Sequence, residues 1–413
     1  MGQGDQPLGN LLLQDLSELS TLIRSNESIS HLEILLTDFL VCLVSASQKR
    51  SAAKAPLYDD GVLGRGAWMA LQSNNEDRDD LDWSVGTHPG SVIWATIISI
   101  CLLHEKAREN FLSSALSGYR TSASIGNFLG VDHRSKWHVT GTAGTFAAAS
   151  AASVSLGYSK EVHLRALQLA GANIGGSALA PRERTGASAF NRSAATTLGI
   201  TAAMAASVGA IAVENIWESP YGILNTFSAS EFPLGATLIV DGVSTTSLRL
   251  FPVTGFAQSA VLATALLAER NFDHLEELNI DLAAGATPLL DGSRGGFWWD
   301  VRAAVSAAWA SKDPTNLYPN DDFLDRIFLV AAELPIGAAR ISIRTASGND
   351  SETIYSPPGN NFNDPIEANW REIKWREMVG ERFLEIEEVS MSLVGGVNTV
   401  ELWERVRALV AMQ

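Results

Sequence analysis

Between Thr142 and Ile211 the chain is dominated by alanine, glycine and serine. The bias is concentrated in three runs, Thr142–Leu156, Leu164–Ala180 and Ala194–Ile211. Small residues at three- and four-residue spacing allow helices to approach one another closely. A membrane-spanning bundle would also use such residues, but arginines recur too often here for that interpretation, at Arg165, Arg182, Arg184 and Arg192. The region therefore predicts a tightly packed helical domain of a soluble protein.

The helical pattern extends on both sides of this region. Apolar residues recur on a helical period in His31–Val44, Ser91–Leu103 and Phe111–Leu116, so residues 29–213 are predicted to form successive helices. The C-terminal segment Asn369–Met412 returns to the same pattern, with a break at two consecutive glycines.

The pattern changes near Asp241. Strand-like runs occupy residues 277–300 and 337–355, and apolar and polar residues alternate cleanly in Arg340–Thr345, as expected for a half-buried strand. Trp298–Trp309 and Asp321–Glu333 are predicted to be helical. A segment that mixes these elements predicts an α+β unit.

A chain of 413 residues exceeds the usual size of one hydrophobic core, which favours two domains. The predicted fold is mainly α. A large all-helical domain spans residues 1–240, with residues 371–413 packing back onto it, and a smaller α+β domain spans residues 241–370.

The overall charge restricts the class of partner. The formal net charge is −16, with 30 basic and 46 acidic residues, which argues against a nucleic acid because phosphate backbones demand clustered Lys and Arg. Two cysteines provide neither a disulfide framework nor a metal site, and the N-terminal segment lacks the basic and apolar regions of a signal peptide. We expect a cytoplasmic protein without a membrane partner.

Three blocks of sequence carry the candidate chemistry. The first is Thr87-His-Pro-Gly-Ser-Val92, which opens an apolar helix. The second is His138-Val-Thr-Gly-Thr-Ala-Gly-Thr-Phe146, followed by Leu156-Gly157. The third runs from Leu167 through Ala170-Gly-Ala172 to a basic loop and then to Ala194-Ala195.

This ordered set of blocks resembles the MmgE/PrpD family, the group of 2-methylcitrate dehydratases, cis-aconitate decarboxylases and iminodisuccinate epimerases. The resemblance implies a helical domain with a smaller α+β lid domain, an active site in the cleft between them, and a homodimer. It also implies a small anionic organic acid as the substrate, with no cofactor and no metal. The sequence itself offers no His pair at the spacing of helical metal ligands.

The residues of the first two blocks suit this chemistry on physical grounds. His88 precedes a proline, so it should lie at a helix N-terminus, where anions bind well; the alternative is a surface histidine that caps a turn. His138 precedes hydroxyls and backbone N–H groups at a second helix start, which are good donors to a carboxylate. The candidate donors in the two blocks are Thr87, Ser91, Thr140 and Thr142.

An acidic run stands just before His88. Asp79, Asp80 and Asp82 belong to it; such a run is usually a solvated loop, but the resemblance places a catalytic carboxylate in the matching stretch. Ungapped counting from His88 puts Arg78 at that position, and a small gap would restore Asp79 or Asp80. All three aspartates therefore remain catalytic candidates beside His88 and His138.

The chain departs from the family pattern at two positions. Where the family carries a lysine before the paired alanines, this sequence has Ala187, and the histidine after the Arg249-Leu-Phe-Pro252 block is replaced by Thr254 or Gln258. Arg stays protonated and cannot shuttle a proton as Lys can. The charge for substrate binding could come from several other residues, which are Arg182, Arg184, Arg192 and Arg249.

These features predict a lyase that removes a proton beside a carboxylate and then eliminates water or carbon dioxide from a small polycarboxylate or related acid. Histidine acts at neutral pH as the base, and fixed cations stabilise the enolate-like charge. An isomerase or epimerase on the same fold is the second hypothesis. A repurposed or non-catalytic member, in a specialised biosynthetic pathway, is the third.

Overall fold

The computed structural model describes residues 8–17, 26–49, 60–74, 77–183, 186–227, 239–271, 274–286, 299–320, 322 and 324–411. The chain divides into two compact units. The first comprises residues 1–181, 185–246 and 378–413, and the second comprises residues 182–184 and 247–377. The fold is mainly α with a smaller α+β unit, which confirms the predicted fold class.

The first unit is helical throughout its larger elements. Its helices are α1 (Leu8–Ser17), α2 (Asn26–Lys49), α3 (Val62–Gln72), α4 (Pro89–Leu103), α5 (Phe111–Lys136), α6 (Val139–Ser155), α7 (Lys160–Gly171), α9 (Ala187–Ser207), α10 (Ile223–Thr226), α14 (Arg382–Val394) and α15 (Val400–Leu409). The short helix α8 (Leu179–Arg182) ends at the boundary between the units, and a two-residue strand, β1 (Leu81–Asp82), precedes α4.

Helix α6 lies at the centre of this unit. It packs against α5 and α9, and nearly all of its residues are buried. Gly199 explains how closely α9 approaches it, because a Cβ at this position would lie 2.4 Å from the Ala148 Cβ and 2.6 Å from the Thr145 carbonyl oxygen. The bias toward small residues is therefore a consequence of helix contact, as the sequence predicted.

The second unit is built on a four-stranded mixed sheet. Its strands are β3 (Leu275–Ala283), β4 (Ile327–Ala332), β5 (Ala339–Thr345) and β6 (Gly348–Ile354), in the order β4-β3-β5-β6. Strand β3 pairs parallel with β4 and antiparallel with β5, which pairs antiparallel with β6. The remaining elements include α11 (Gln258–Arg270), α12 (Val301–Ser311), and two that meet the unit boundaries, β2 (Thr246–Ser247) and α13 (Pro365–Val379).

The predicted alternation in Arg340–Thr345 is confirmed. Ile341 and Ile343 are buried on the inner face of the sheet, and Arg340 and Arg344 point to the other face, where Arg344 pairs with Glu276 and Glu277. Helix α11 packs against β5 and β6 and covers the apolar face.

The predicted helix at Asp321–Glu333 is wrong. The structure has a short 3-10 turn at Leu324–Arg326 and then strand β4, whose residues pair from Ile327 with Leu278 to Ala332 with Ala283. The run Ile-Phe-Leu-Val suits a pleated surface, and the neighbouring strand β3 supplies a hydrogen-bonding partner that a local pattern cannot reveal. The predicted helix at Trp298–Trp309 exists as α12, although Trp298 lies outside the described residues.

Among the described residues, one helical stretch, Glu27–Gln48, is long and apolar enough to cross a membrane by length and composition. Of its most apolar window, 78% is buried inside the structure. A core helix of a soluble protein meets the same criterion, so this stretch does not assign the chain to a membrane.

Candidate functional site

His88 lies at the N-terminus of α4, as its position before Pro89 predicts. It is the N-cap residue, with non-helical backbone angles, and Pro89 occupies the first helical position. The His88 backbone N–H donates to the Thr140 hydroxyl at 3.1 Å, and the Ser91 hydroxyl donates back to the His88 carbonyl at 2.9 Å. The starts of α4 and α6 are therefore joined through His88.

The imidazole of His88 faces two acceptors through Nδ1. The carbonyl oxygen of Asp80 lies 2.7 Å from Nδ1, and the Asp79 carboxylate Oδ2 lies 3.5 Å from it. A carbonyl oxygen only accepts, so Nδ1 must carry the proton. In the neutral ring the lone pair is then on Nε2, which is the basic nitrogen of the ring.

Asp79 is buried among cationic and amide groups. Its side chain is 2% exposed, Oδ1 accepts from the Asn74 amide at 2.8 Å, and Oδ2 lies 3.5 Å from Arg192 Nη2. The solvated-loop interpretation of the acidic run is therefore wrong for this residue. Because Oδ2 also faces His88, the Asp79 carboxylate is placed to stabilise a protonated imidazole.

Asp80 occupies a different environment from its neighbour. Its carboxyl accepts from the Gly90 backbone N–H at 2.9 Å and from the Tyr119 hydroxyl at 3.2 Å. Burial first, and the adjacent Asp79 charge second, raise the pKa of Asp80 to about 8. Asp80 is therefore mostly protonated at neutral pH, so only one of the two adjacent aspartates carries charge beside His88.

Asp82, the third acidic candidate, braces its own loop. One carboxylate oxygen accepts from the Ser84 hydroxyl at 2.6 Å and the other from the Thr245 hydroxyl at 3.0 Å. Burial raises the pKa of Asp82, and the hydrogen bonds to Ser84 and Thr245 oppose that shift. These contacts stabilise the turn between Asp82 and Thr87, whose backbone groups also pair.

His138 caps α6 and is buried beside Arg192. The Asn191 amide nitrogen lies 3.2 Å from His138 Nδ1; because an amide nitrogen only donates, the ring proton belongs on Nε2. Burial and then the Arg192 charge lower the pKa of His138 to about 3, against a smaller opposing effect of Asp79. At pH 7 His138 is a neutral N–H donor and not an imidazolium acid.

The four hydroxyl candidates are all buried, and each has a protein partner. The Thr140 hydroxyl accepts from the His88 backbone N–H, and the Ser91 hydroxyl donates to the His88 carbonyl. Thr142 lies 2.9 Å from Nε2 of His133, and Thr87 accepts from Ser122 at 3.3 Å. These hydroxyls position the helix starts that carry the two histidines.

The basic candidates lie in different local settings. Arg192 lies in the cluster with Asp79 and His138, Arg182 is exposed at the end of α8, and Arg184 lies outside the described residues. Arg249 is buried within the second unit.

The two departures from the family pattern have clear structural settings. Ala187, which stands where the family has a lysine, is exposed as the first residue of α9. Gln258 is buried and fully engaged, since its Oε1 accepts from Phe251 N at 3.0 Å and its Nε2 donates to the carbonyls of Phe251 and Val253 at 2.9 Å. The Thr254 carbonyl accepts from Ala257 N in the same turn.

Two members of the cluster were underestimated from sequence. Arg192 was only one of several possible cations, and Asn191 was not anticipated. The available signal was spacing, because Arg192 precedes Ala195 and Gly199 by three and seven residues and shares their buried face. Within the described part of the chain, no group of three or more His, Cys, Asp or Glu side chains could hold a metal ion.

Fold and site together define a mainly helical protein in which two histidines, one charged aspartate and one buried arginine meet at the starts of two helices. Residues 67–234, which include this cluster, match the family model of the MmgE/PrpD N-terminal domain. This match supports membership of the MmgE/PrpD family, a family of dehydratase-like and related enzymes. No curated protein matches the chain significantly.

Proposed function

We propose that this protein is a lyase that acts on a small polycarboxylate or related acid by removing a proton beside a carboxylate or carbonyl group. One observation carries the proposal: His88 Nδ1 lies 2.7 Å from the Asp80 carbonyl and 3.5 Å from the Asp79 carboxylate, which leaves the basic lone pair of the neutral ring on Nε2. A carboxylate that orients an imidazole and stabilises its protonated form is the arrangement a general base needs.

The proposed reaction begins when His88 Nε2 takes the substrate proton. The C–H electron pair moves into an enolate-like system, and Arg192 and the neutral His138 N–H stabilise the negative charge that develops. The electron pair then expels a β-hydroxyl, which leaves as water. Because His138 is held neutral, the protonated His88 is the group proposed to return its proton to the leaving oxygen.

Decarboxylation would use the same groups in another order. A carboxylate that loses carbon dioxide leaves its electron pair on the substrate carbon, and His88, which has first taken a proton from solvent, supplies that proton to the carbon. Both reactions require one proton shuttle and one fixed cation. Arg192 is the fixed cation, and it does not act as a proton donor.

An isomerase or epimerase is the second candidate, and one observation favours it. Ala187 is exposed and stands in place of the family lysine, and His138 is neutral at pH 7. Of these three residues, His88 is therefore the one that can act as a proton shuttle. Returning a proton to carbon requires no separate acid for a leaving group.

The homodimer, the cytoplasmic location and the absence of a cofactor or metal requirement stay predictions from the sequence and from the resemblance. A non-catalytic, repurposed role is the alternative that the following experiment distinguishes.

The test is incubation of the purified protein with a panel of di- and tricarboxylates in deuterated water, followed by proton NMR. Loss of water or carbon dioxide from one substrate supports the lyase. Deuterium incorporation beside a carboxylate without elimination supports the isomerase. A folded protein that gives neither result with any panel member would contradict both and favour the non-catalytic role.

We predict that the protein turns over 2-methylcitrate and cis-aconitate poorly. Ala187 cannot donate a proton or pair with a carboxylate, and Gln258 is held by three hydrogen bonds to its own loop. Loss of a positioned acid or base costs about 10²–10⁴ in rate. Steady-state assays of both substrates measure this, and turnover in the ordinary range for dehydratases of this kind would contradict it.

A further inference from the structure

We propose that Asp80 is a positioning residue that fixes the tautomer of His88. Its main chain sets which ring nitrogen holds the proton, and its side chain holds that main chain in place. The inference about the tautomer stands on geometry alone. The effect of the His88 tautomer on catalysis rests on the proposed function.

The Asp80 carbonyl oxygen lies 2.7 Å from His88 Nδ1. This contact is shorter than the 3.5 Å approach of the Asp79 carboxylate. A carbonyl oxygen cannot donate, so this contact favours the ring form with the proton on Nδ1. The carboxylate of Asp79 adds charge on the same side.

The side chain of Asp80 anchors the residue to the start of α4. Both carboxyl oxygens lie within reach of the Gly90 backbone N–H, at 3.2 and 2.9 Å, and the Tyr119 hydroxyl contacts Oδ2 at 3.2 Å. The His88 side chain makes no capping bond at the start of α4, so Asp80 satisfies one of the unpaired N–H groups at this end. One residue thereby ties the carbonyl and the helix start together.

The space between Gly90 and the Asp80 carboxyl is too small for a side chain at residue 90. A Cβ at residue 90 would lie 2.6 Å from Asp80 Oδ2 and 3.1 Å from the Tyr119 hydroxyl. Gly90 is therefore required for the carboxyl to approach the helix backbone. Alanine at this position would push Asp80 outward and move its carbonyl away from His88.

The charge of Asp80 can be tested separately from its position. Since burial raises the pKa of Asp80 to about 8, the carboxyl is mainly neutral at pH 7, and asparagine is close to it in shape and charge. Asp80→Asn keeps an acceptor for Gly90. Asp80→Ala removes the anchor. The two variants therefore separate positioning from an electrostatic role.

The experiment is nitrogen NMR of the full chain with ¹⁵N-labelled histidine, in which the His88 signals are assigned by their loss in His88→Gln. We expect the Nδ1–H form in the wild type and in Asp80→Asn. We expect a large Nε2–H fraction in Asp80→Ala and in Gly90→Ala, which serves as a second way to displace the carboxyl.

An Nε2–H form in the wild type would overturn the inference. So would a wild-type tautomer in whichever of Asp80→Ala and Gly90→Ala folds. If neither folds, Asp80→Asn decides, because a change of tautomer in a variant that keeps the anchor to Gly90 would contradict positioning by this side chain.

Activity gives an independent readout. Misplacement of a catalytic group by about 1 Å costs on the order of 10² in rate, so we expect Asp80→Ala to lose about that factor in kcat and Asp80→Asn to stay within a few-fold of wild type. If no substrate is turned over but the tautomer changes as expected, the proposed function fails and the inference about Asp80 stands.

Discussion

Replacement of His88 by glutamine is expected to lower turnover of the protein's substrate by about 10²–10⁴, the usual contribution of a positioned general base. Glutamine keeps a side chain of similar reach but cannot take up a proton at neutral pH. The measurement is kcat and kcat/KM for whichever panel member reacts, with deuterium exchange as a second assay. The fold should be preserved, because the ring is partly exposed and its removal opens no apolar core.

The matched control is His104→Gln. His104 follows the other end of the same helix and is exposed, so the chemical change is identical and lies away from Asp79 and Arg192. We expect wild-type activity for this variant. A His88→Gln protein that keeps its turnover within a few-fold would remove His88 from the mechanism.

Replacement of Arg192 by alanine is expected to lower the free energy of unfolding by about 3–5 kcal/mol, the cost of breaking a buried ion pair by removing one partner. Arg192 and Asp79 are each 2% exposed, and the Asp79 carboxylate would lose its nearby cation. Urea denaturation followed by circular dichroism measures the change. Arg405→Ala is the control, because Arg405 pairs with Glu388 on the surface and its loss should change stability little.

A double-mutant cycle makes this prediction sharper. If Asp79 and Arg192 stabilise each other, removing both with Asp79→Ala and Arg192→Ala should cost clearly less than the sum of the single changes. Additive losses would mean that the two charges act independently. A loss for Arg192→Ala no larger than that for Arg405→Ala would contradict the buried pair itself.

The helical part of the fold was predictable from sequence because its information is local. The small residues of α6 and α9 predict close helix contact, and Pro89 indicates the start of α4. Strand β4 was missed for the opposite reason. Its partner β3 lies 44 or more residues earlier in the chain, and only pairing decides that Ile327–Ala332 is extended.

The candidate site was predictable in kind but not in detail. The two histidines and an acidic partner follow from the motifs, whereas ungapped counting placed Arg78 where the structure brings Asp79 to His88. The turn between them is closed by hydrogen bonds, among them Asp82 N–H to the Thr87 carbonyl at 2.8 Å. A turn of different length, closed by its own hydrogen bonds, can hold a carboxylate at the same place beside His88. Ungapped counting of residues from His88 therefore selects the wrong position.

Gln258 has an evolutionary consequence. Its amide makes three hydrogen bonds to the backbone of Phe251 and Val253, and a histidine there has too few donors and acceptors to replace them all. Each buried backbone group left unsatisfied costs about 1–3 kcal/mol. If the family histidine belongs at this position, a single substitution cannot restore it without loosening the turn. The turn would have to change first, so the hydrogen bonds of Gln258 oppose a single substitution to histidine at this position.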